Sequence, residues 1–197
     1  MWKKSNTKKR TPATYIPGWN FIRRTVYPIN KYDTCGYTAA CLLLNYYHNQ
    51  PGPLQGKVIP KEFLDYKGKL SVTGYTLQDK LIQYANNSSS WGWSIAKVLN
   101  HYFEEYGIPA KAHFRLFRVG AFRRIKSGMP LILFGNLPRE KDETGWKNRL
   151  NHAVVAYGLN YTKGRTPRFI VHYGWKNREF NVLMNEVIGS YCYIECK

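Results

Sequence analysis

The stretch that decides the fold reads Lys31-Tyr-Asp-Thr-Cys35-Gly-Tyr-Thr-Ala-Ala-Cys-Leu-Leu-Leu-Asn-Tyr-Tyr-His48. Asp33 and Thr34 are of the residue types that cap helix N-termini, and the apolar residues after them recur at helical spacing. Because the stretch is apolar on nearly every side, it predicts a buried helix. The helix is predicted to begin at Cys35, and the breaker Gln50-Pro-Gly-Pro53 follows its end.

The other periodic stretches divide the chain into a helical first part and a strand-rich second part. An apolar stripe predicts a helix over 95–106, which Gly107-Ile-Pro109 ends. Shorter helices are predicted over 61–66, 76–84 and 119–127. Strands are predicted over 130–134, 152–157, 168–173 and 191–196. Helices that precede strands in this way indicate an α+β fold.

Length and composition favour one folded domain without a membrane span. The 197 residues allow a single domain at ~150 residues per domain, and 44% of them are hydrophobic. Apolar runs such as 39–44 and 131–134 are far shorter than the ~20 residues that cross a bilayer. Residues 1–14 are basic and polar, so we expect a flexible N-terminal arm there. The domain itself is predicted over 15–197.

Positive charge dominates the composition. Lys and Arg number 30 against 12 Asp and Glu, a formal net charge of +18, which predicts attraction to polyanions. Basic residues and phenylalanines alternate around the predicted helix 119–127: Phe114, Arg115, Phe117, Arg118, Phe122, Arg123, Arg124 and Lys126. No recognised nucleic-acid motif accompanies them. We therefore favour a solvated basic face, or steering toward an anionic wall or acidic substrate, with nucleic-acid binding as the rival interpretation.

The four cysteines, Cys35, Cys41, Cys192 and Cys196, are too few for a disulfide scaffold in a chain of this length. No pair of cysteines or histidines has the spacing of a zinc site, so we predict no metal and no other cofactor. Cys35 stands out because a helix N-terminus stabilises a thiolate, the nucleophilic form of the side chain. Its backbone N–H could also donate to an oxyanion. A buried structural cysteine is the alternative.

A cysteine nucleophile needs a base, and His152 is the predicted one. It begins a β-rich stretch far downstream, as expected where folding brings a distant histidine to a cysteine. The other histidines fit less well. His48 ends the predicted Cys35 helix, about 20 Å from its start. His101 lies within another predicted helix, and His113 lies among basic residues. A structural role for His152 is the alternative.

Four segments together resemble bacterial papain-like cysteine peptidases, most closely the bacteriocin-processing peptidase-like proteins and more distantly streptopain. Residues 35–47 resemble the Cys-Gly-Pro-Thr-Ala start of the family's catalytic helix. Asn151-His152-Ala-Val-Val-Ala-Tyr-Gly158 resembles its His-Ala-Val-Val-x-Tyr-Gly strand, and 126–133 the strand before it. Val171-His172-Tyr-Gly-Trp175 is similar to the Val-Asn-Trp-Gly-Trp stretch of the streptopain-like branch. The four segments occur in the family's order.

The resemblance implies a papain-like fold in which a helical half packs on an antiparallel β-sheet half, with the active site in the cleft between them. It makes Cys35 the nucleophile and His152 the base of a reaction that passes through a thioester. His172 stands where the family has an Asn or Asp that orients the histidine. A neutral imidazole can accept that hydrogen bond, although it stabilises an imidazolium less than a carboxylate does. Asn177 is a second candidate for this role.

Two further residues receive roles from the resemblance. The family carries a glutamine, donating to the oxyanion, where this chain has Ile29. Asn30 offers the same amide one bond shorter and is the predicted donor, unless it only shapes a turn. Trp175 is predicted to shield the contact between His172 and His152 from water. An ordinary core aromatic at the end of the sheet is the alternative.

These features support three hypotheses about function. The first is a cysteine peptidase that acts on a peptide or protein substrate. The second is a peptidoglycan amidase or endopeptidase on the same fold, for which positive charge would favour an anionic cell wall. The third is a papain-like domain without activity that binds an anionic polymer, or a basic nucleic-acid binder. For the enzymes we expect a secreted or cell-surface location in a bacterium.

Overall fold

A computed structural model describes residues 12–30, 34–85, 91–138, 149–162, 165–183 and 188–197. These residues contain five α-helices: α1 Asn20–Arg23, α2 Cys35–Asn49, α3 Leu77–Gln83, α4 Gly92–Glu105 and α5 Ala121–Lys126. A single 3-10 turn covers Lys61–Phe63. Helix α3 begins with a reciprocal capping box between Thr76 and Asp79, in which each side chain accepts a hydrogen bond from the other's backbone N–H.

The strands of the described residues form one antiparallel sheet. They are β1 Ala13–Tyr15, β2 Ala110–Leu116, β3 Leu131–Pro138, β4 Arg149–Asn160, β5 Arg168–His172, β6 Asn181–Leu183 and β7 Ile188–Cys196. The sheet runs in the order β2-β7-β3-β4-β5-β6, and β1 pairs with the end of β4. Strand β4 is therefore central, with β3 and β1 along one edge and β5 along the other.

The core lies where helices cover the middle of this sheet. Residues 131–134 of β3 and 152–159 of β4 are buried without interruption, so both faces of these strands are covered. Helix α2 packs on β3 and β4, whereas α4 packs on β2 and β7. Helix α2 is buried from Cys35 to Tyr46, as its apolar sequence predicts. The N-terminus of α2 is therefore held in place by packing within the core.

The structure has the predicted α+β class, with corrections to single elements. Strand β2 was not predicted, because charged residues interrupt its apolar pattern. The N-terminal boundary also moves: Ala13 and Thr14, expected in the arm, pair with β4, while residues 1–11 lie outside the described residues. Helix α4 begins at Gly92, three residues before the predicted start at residue 95, and ends at Glu105. The predicted helix 61–66 is only a 3-10 turn.

None of the helices among the described residues is long and apolar enough to cross a bilayer.

Candidate active site

Cys35 is the first residue of α2, and its side chain is 8% exposed. The aligned peptide dipoles of the helix place a partial positive charge beside the sulfur. Thr38 lies one turn further along the same side of the helix, and its N–H donates to the Thr34 carbonyl over 2.9 Å. The buried first turn of α2 therefore presents a cysteine at a fixed helix N-terminus.

His152 lies on β4, opposite Gly135 of β3, and is 4% exposed. Its Nε2 is 2.8 Å from the backbone carbonyl oxygen of Tyr173. Because a carbonyl oxygen only accepts hydrogen bonds, Nε2 is the nitrogen that carries the proton. The neutral ring consequently has its lone pair on Nδ1, which is the form a general base requires.

The turn Tyr173-Gly174-Trp175, which follows β5, touches both His152 and α2. Gly174 has a φ of +72°, in the left-handed region that favours glycine. A Cβ atom at Gly174 would lie 2.9 Å from Cγ2 of Thr38, so the turn packs directly on the first turn of α2. The same turn therefore holds the ring of His152 and the end of the helix that carries Cys35.

His172 does not accept the hydrogen bond that was predicted for it. Its Nδ1 accepts from the backbone N–H of Gly174 over 2.8 Å, and the bond from His152 goes to Tyr173 instead. The reason is the register: His172 pairs with Val155 on β4, three residues away from His152. Nε2 of His172 is buried and has no hydrogen-bond partner among the described residues. His172 thus supports the turn rather than the ring of His152.

The second candidate for orienting His152, Asn177, also lies in a turn. It has a φ of +64°, and its backbone N–H donates to the carboxylate of Glu179 over 2.9 Å. This is a turn geometry that asparagine tolerates better than most residues. The backbone carbonyl of Tyr173 already occupies the orienting position.

Trp175 lies against the ring of His152, with the two ring centroids 4.4 Å apart. The guanidinium of Arg178 stacks over Tyr173 at 4.1 Å from the ring centroid and lies 5.7 Å from the ring of Trp175. His152 therefore packs against the ring of Trp175, and the guanidinium of Arg178 lies against the rings of Tyr173 and Trp175.

Burial lowers the pKa of His152 to about 4, the hydrogen bond to Tyr173 opposes this shift, and the positive charge of Arg178 adds to it. Burial likewise lowers the pKa of His172 to about 4, against the opposing charge of Glu179. Both rings are therefore neutral at neutral pH. A neutral His152 offers a lone pair that can accept a proton, but its lowered pKa makes it a weak base in the substrate-free protein and disfavours a permanent ion pair with a thiolate.

Asn30 is half-buried, and its side-chain oxygen accepts a hydrogen bond from the hydroxyl of Thr34 over 3.2 Å. This bond ties Asn30 to the residue that precedes Cys35. It fits the turn-shaping alternative, and it leaves the amide nitrogen as the group that could donate to an oxyanion.

Sequence reasoning missed the two backbone groups that organise this site. The carbonyl of Tyr173 and the N–H of Gly174 belong to no side-chain motif, although the Tyr-Gly-Trp order marks a turn.

Sequence reasoning also missed Gln78, which is buried and donates from Nε2 to the hydroxyl of Thr38 over 2.8 Å. This bond anchors α3 to the first turn of α2. Nothing in the sequence near Gln78 signals it.

The described parts of the chain contain no group of three or more His, Cys, Asp or Glu residues that could hold a metal ion. All four cysteines lie within the described residues and none forms a disulfide; Cys41 and Cys192 are fully buried and Cys196 is exposed.

No family model and no curated protein matches this sequence. Among solved structures, the chain is similar to one described as a "putative C39-like peptidase from Bacillus anthracis". The two share 14% sequence identity and a TM-score of 0.49. The similarity covers 93% of this chain and 98% of the other.

Proposed function

We propose that the chain is a cysteine peptidase with a papain-like fold, which hydrolyses peptide bonds with Cys35 as the nucleophile and His152 as the base. One observation carries the proposal: a single turn gives His152 the protonation state of a base and packs on the first turn of the helix that begins at Cys35. A cysteine at a helix N-terminus beside an oriented histidine is the arrangement of nucleophilic thiol catalysis.

In the proposed first step, the sulfur of Cys35 attacks the carbonyl carbon of the substrate while Nδ1 of His152 takes the thiol proton. The tetrahedral intermediate then expels the amine, which leaves with the proton held by His152, and a thioester remains. In the second step His152 removes a proton from water, the hydroxide attacks the thioester, and the acid product and the Cys35 thiol are released.

Four groups assist this reaction in the proposal. The carbonyl of Tyr173 holds the Nε2 proton of His152 and so keeps the ring in one tautomer, the task that a side chain performs in a catalytic triad. The backbone N–H of Cys35 and the side-chain amide of Asn30 donate to the oxyanion. Trp175 covers the ring of His152 and limits access of water to it.

The two rival functions each have one observation in their favour. The net charge of +18 favours an anionic substrate, as expected of a peptidoglycan amidase or endopeptidase on the same fold. The orienting acceptor is a neutral carbonyl rather than a carboxylate, and this favours a weakened or inactive domain that binds a polymer.

Alkylation by iodoacetamide at pH 6 separates an activated thiol from an ordinary one. Cys196 is the internal control, because it is exposed whereas Cys35 is buried. We expect Cys35 to be labelled faster than Cys196 despite its lower exposure, and His152→Ala to abolish the difference. Slower labelling of Cys35 would contradict the proposal.

Hydrolysis identifies the bond that is cleaved. We expect the wild type and Cys196→Ser to hydrolyse fluorescent casein and Cys35→Ala to be inactive. Release of soluble fragments from purified cell walls, with casein left intact, would replace the peptidase by the wall hydrolase. Failure on both substrates, together with ordinary labelling of Cys35, would favour the inactive binding domain.

A further inference from the structure

The end of β2 and the loop that leads to α5 expose three apolar side chains. Leu116, Phe117 and Val119 are 65%, 67% and 78% exposed, and Arg118 stands between them. We call residues 116–119 the tip loop. Exposed apolar residues that are scattered singly are common, but three within four consecutive residues are a local cluster.

The backbone of the tip loop is held firmly although its side chains are exposed. The N–H of Phe117 donates to the carbonyl of Gly189 over 2.7 Å, and the hydroxyl of Tyr191 donates to the carbonyl of Val119 over 2.8 Å. Phe117 adopts a φ of +55°, a left-handed conformation that is unfavourable for a bulky side chain. Strain of this kind at a surface residue points to a function that needs the side chain outside.

The chain segment that carries the tip loop is cationic, and Glu195 of β7 pairs with His113 and Arg124 of this segment. Residues 107–139 contain no Asp or Glu. Arg115, Arg123 and Lys126 are exposed, and Arg118 is half-buried. Arg124 is not part of this surface, because its guanidinium stacks over the ring of Tyr193 at 3.6 Å and bonds to the Tyr193 hydroxyl. An apolar tip flanked in sequence by exposed cations complements a surface that is apolar inside and anionic outside.

The aromatic side chains distinguish a bilayer from a nucleic acid. Stacking on bases would need several exposed rings, but Phe122 stacks on Phe169 inside the protein at 4.5 Å. Phe114 is half-buried and contacts Gly92 of α4. Phe117 is thus the one exposed phenylalanine of this described segment, and its exposed neighbours are aliphatic.

We propose that the tip loop docks the protein on an anionic lipid bilayer. Leu116, Phe117 and Val119 enter the interface between headgroups and acyl chains, while Arg115 and Arg118 bind lipid phosphates. Weak apolar insertion combined with basic residues is the usual basis of reversible membrane binding.

The sheet register gives this docking a direction. The N–H of Phe117 bonds to Gly189, the second residue of β7. Gly135 of β3 pairs with Ile188 of β7 on one side and with His152 of β4 on the other. Phe117 and His152 therefore lie at the same end of the sheet, three strand spacings or about 14 Å apart. A docked molecule brings the candidate active site close to the membrane surface. Docking itself is measured without hydrolysis, so its outcome is independent of the proposed function.

Vesicle flotation tests the proposal with the full chain. We expect the wild type to float with vesicles of equal parts phosphatidylglycerol and phosphatidylcholine, and not with phosphatidylcholine alone. Phe117→Asn should lower the partition coefficient about tenfold, because it removes apolar surface. Asparagine tolerates the left-handed conformation, so this variant keeps the fold. Arg115→Gln combined with Arg118→Gln should lower partitioning by a similar factor.

Tyr66→Asn combined with Lys69→Gln is the matched control, because these residues form another exposed aromatic and basic loop. We expect this variant to bind like the wild type. Equal losses of vesicle binding in the control and in Phe117→Asn would overturn the proposal, since any exposed aromatic and basic residues would then contribute as much to binding as the tip loop does. Absence of flotation at low salt would also overturn it. So would binding to DNA or wall polymer that exceeds lipid binding and is lost in Phe117→Asn, because the loop would then be a polymer site.

Discussion

Two buried histidines on neighbouring strands, His152 on β4 and His172 on β5, use the same turn in opposite ways. Both have a pKa lowered to about 4 by burial. His152 donates from Nε2 to the carbonyl of Tyr173, whereas His172 accepts at Nδ1 from the N–H of Gly174. The first arrangement leaves a lone pair for chemistry, and the second leaves a buried proton without an acceptor among the described residues. Burial alone therefore does not distinguish the proposed base from a structural histidine; the two differ in the partner of each ring nitrogen.

The sharpest test of this difference replaces His152. His152→Ala should lower kcat/KM for casein about a thousandfold, because general base catalysis is lost. The measurement is initial rates of hydrolysis, with circular dichroism as the check that the variant is folded. Turnover equal to that of the wild type would show that His152 is structural, like His172.

The pH dependence of stability tests what the two histidines share. Folded pKa values near 4 lie below the unfolded value of about 6.5, so the unfolded chain binds more protons between these limits. Stability is therefore full above pH 6.5 and falls as the pH is lowered toward 4. Between pH 7 and 5 we expect a loss of about 2 kcal/mol for each histidine in urea unfolding.

The variant His172→Asn provides the control for this effect. It should remove about half of the histidine contribution between pH 7 and 5, because one of the two depressed groups is gone. An unchanged pH dependence in this variant would show that His172 already titrates normally in the folded protein.

The turn that joins both histidines can be tested through Gly174. Gly174→Ala combines a left-handed conformation with a contact of 2.9 Å to Thr38, whereas Gly68→Ala has φ +71° and no atom within 4 Å. Both should lose about 1 kcal/mol of stability from backbone strain. Only Gly174→Ala should also lower kcat/KM, because displacing the turn moves Tyr173. Equal activity of the two variants would show that the packing of the turn on α2 has no catalytic importance.

The smallest expected effect concerns the acceptor at His172. In His172→Asn the side-chain oxygen can replace Nδ1 as the acceptor for Gly174, so kcat/KM at pH 7 should stay within about twofold. His172→Leu leaves that buried N–H unpaired and should cost about 1 kcal/mol or more in urea unfolding. If His172→Asn lost activity as fully as His152→Ala, His172 would belong to the catalytic machinery after all.

Local patterns predicted much of the fold because they depend on neighbours in sequence. The apolar run after Cys35 produced α2, and the β-rich stretches around His152 and Val171 produced β4 and β5. Strand β2 escaped prediction because its pairing with β7 outweighs its charged composition. Strand β1 escaped because three exposed residues form a strand only where the edge of β4 is available.

The candidate site was predictable to the extent that side chains carry it. The residue types and order of Cys35 and His152 suggested a nucleophile and a base, and these remain the proposed pair. The orienting group was assigned to His172 because a motif can only point to a side chain. The structure gives that bond to a backbone carbonyl, which every residue has and no sequence pattern singles out.

The sequence by itself determined the buried helix that begins at Cys35, the β-rich strand that contains His152 and the excess of positive charge, because composition and periodicity depend only on neighbouring residues. Only the tertiary structure decided which nitrogen of His152 carries the proton, which turn packs on α2 and which of the basic and apolar residues near β2 remain exposed. The physical reason is that hydrogen-bond partners and burial are set by segments far apart in the chain, and one residue of register decides which backbone group meets which ring.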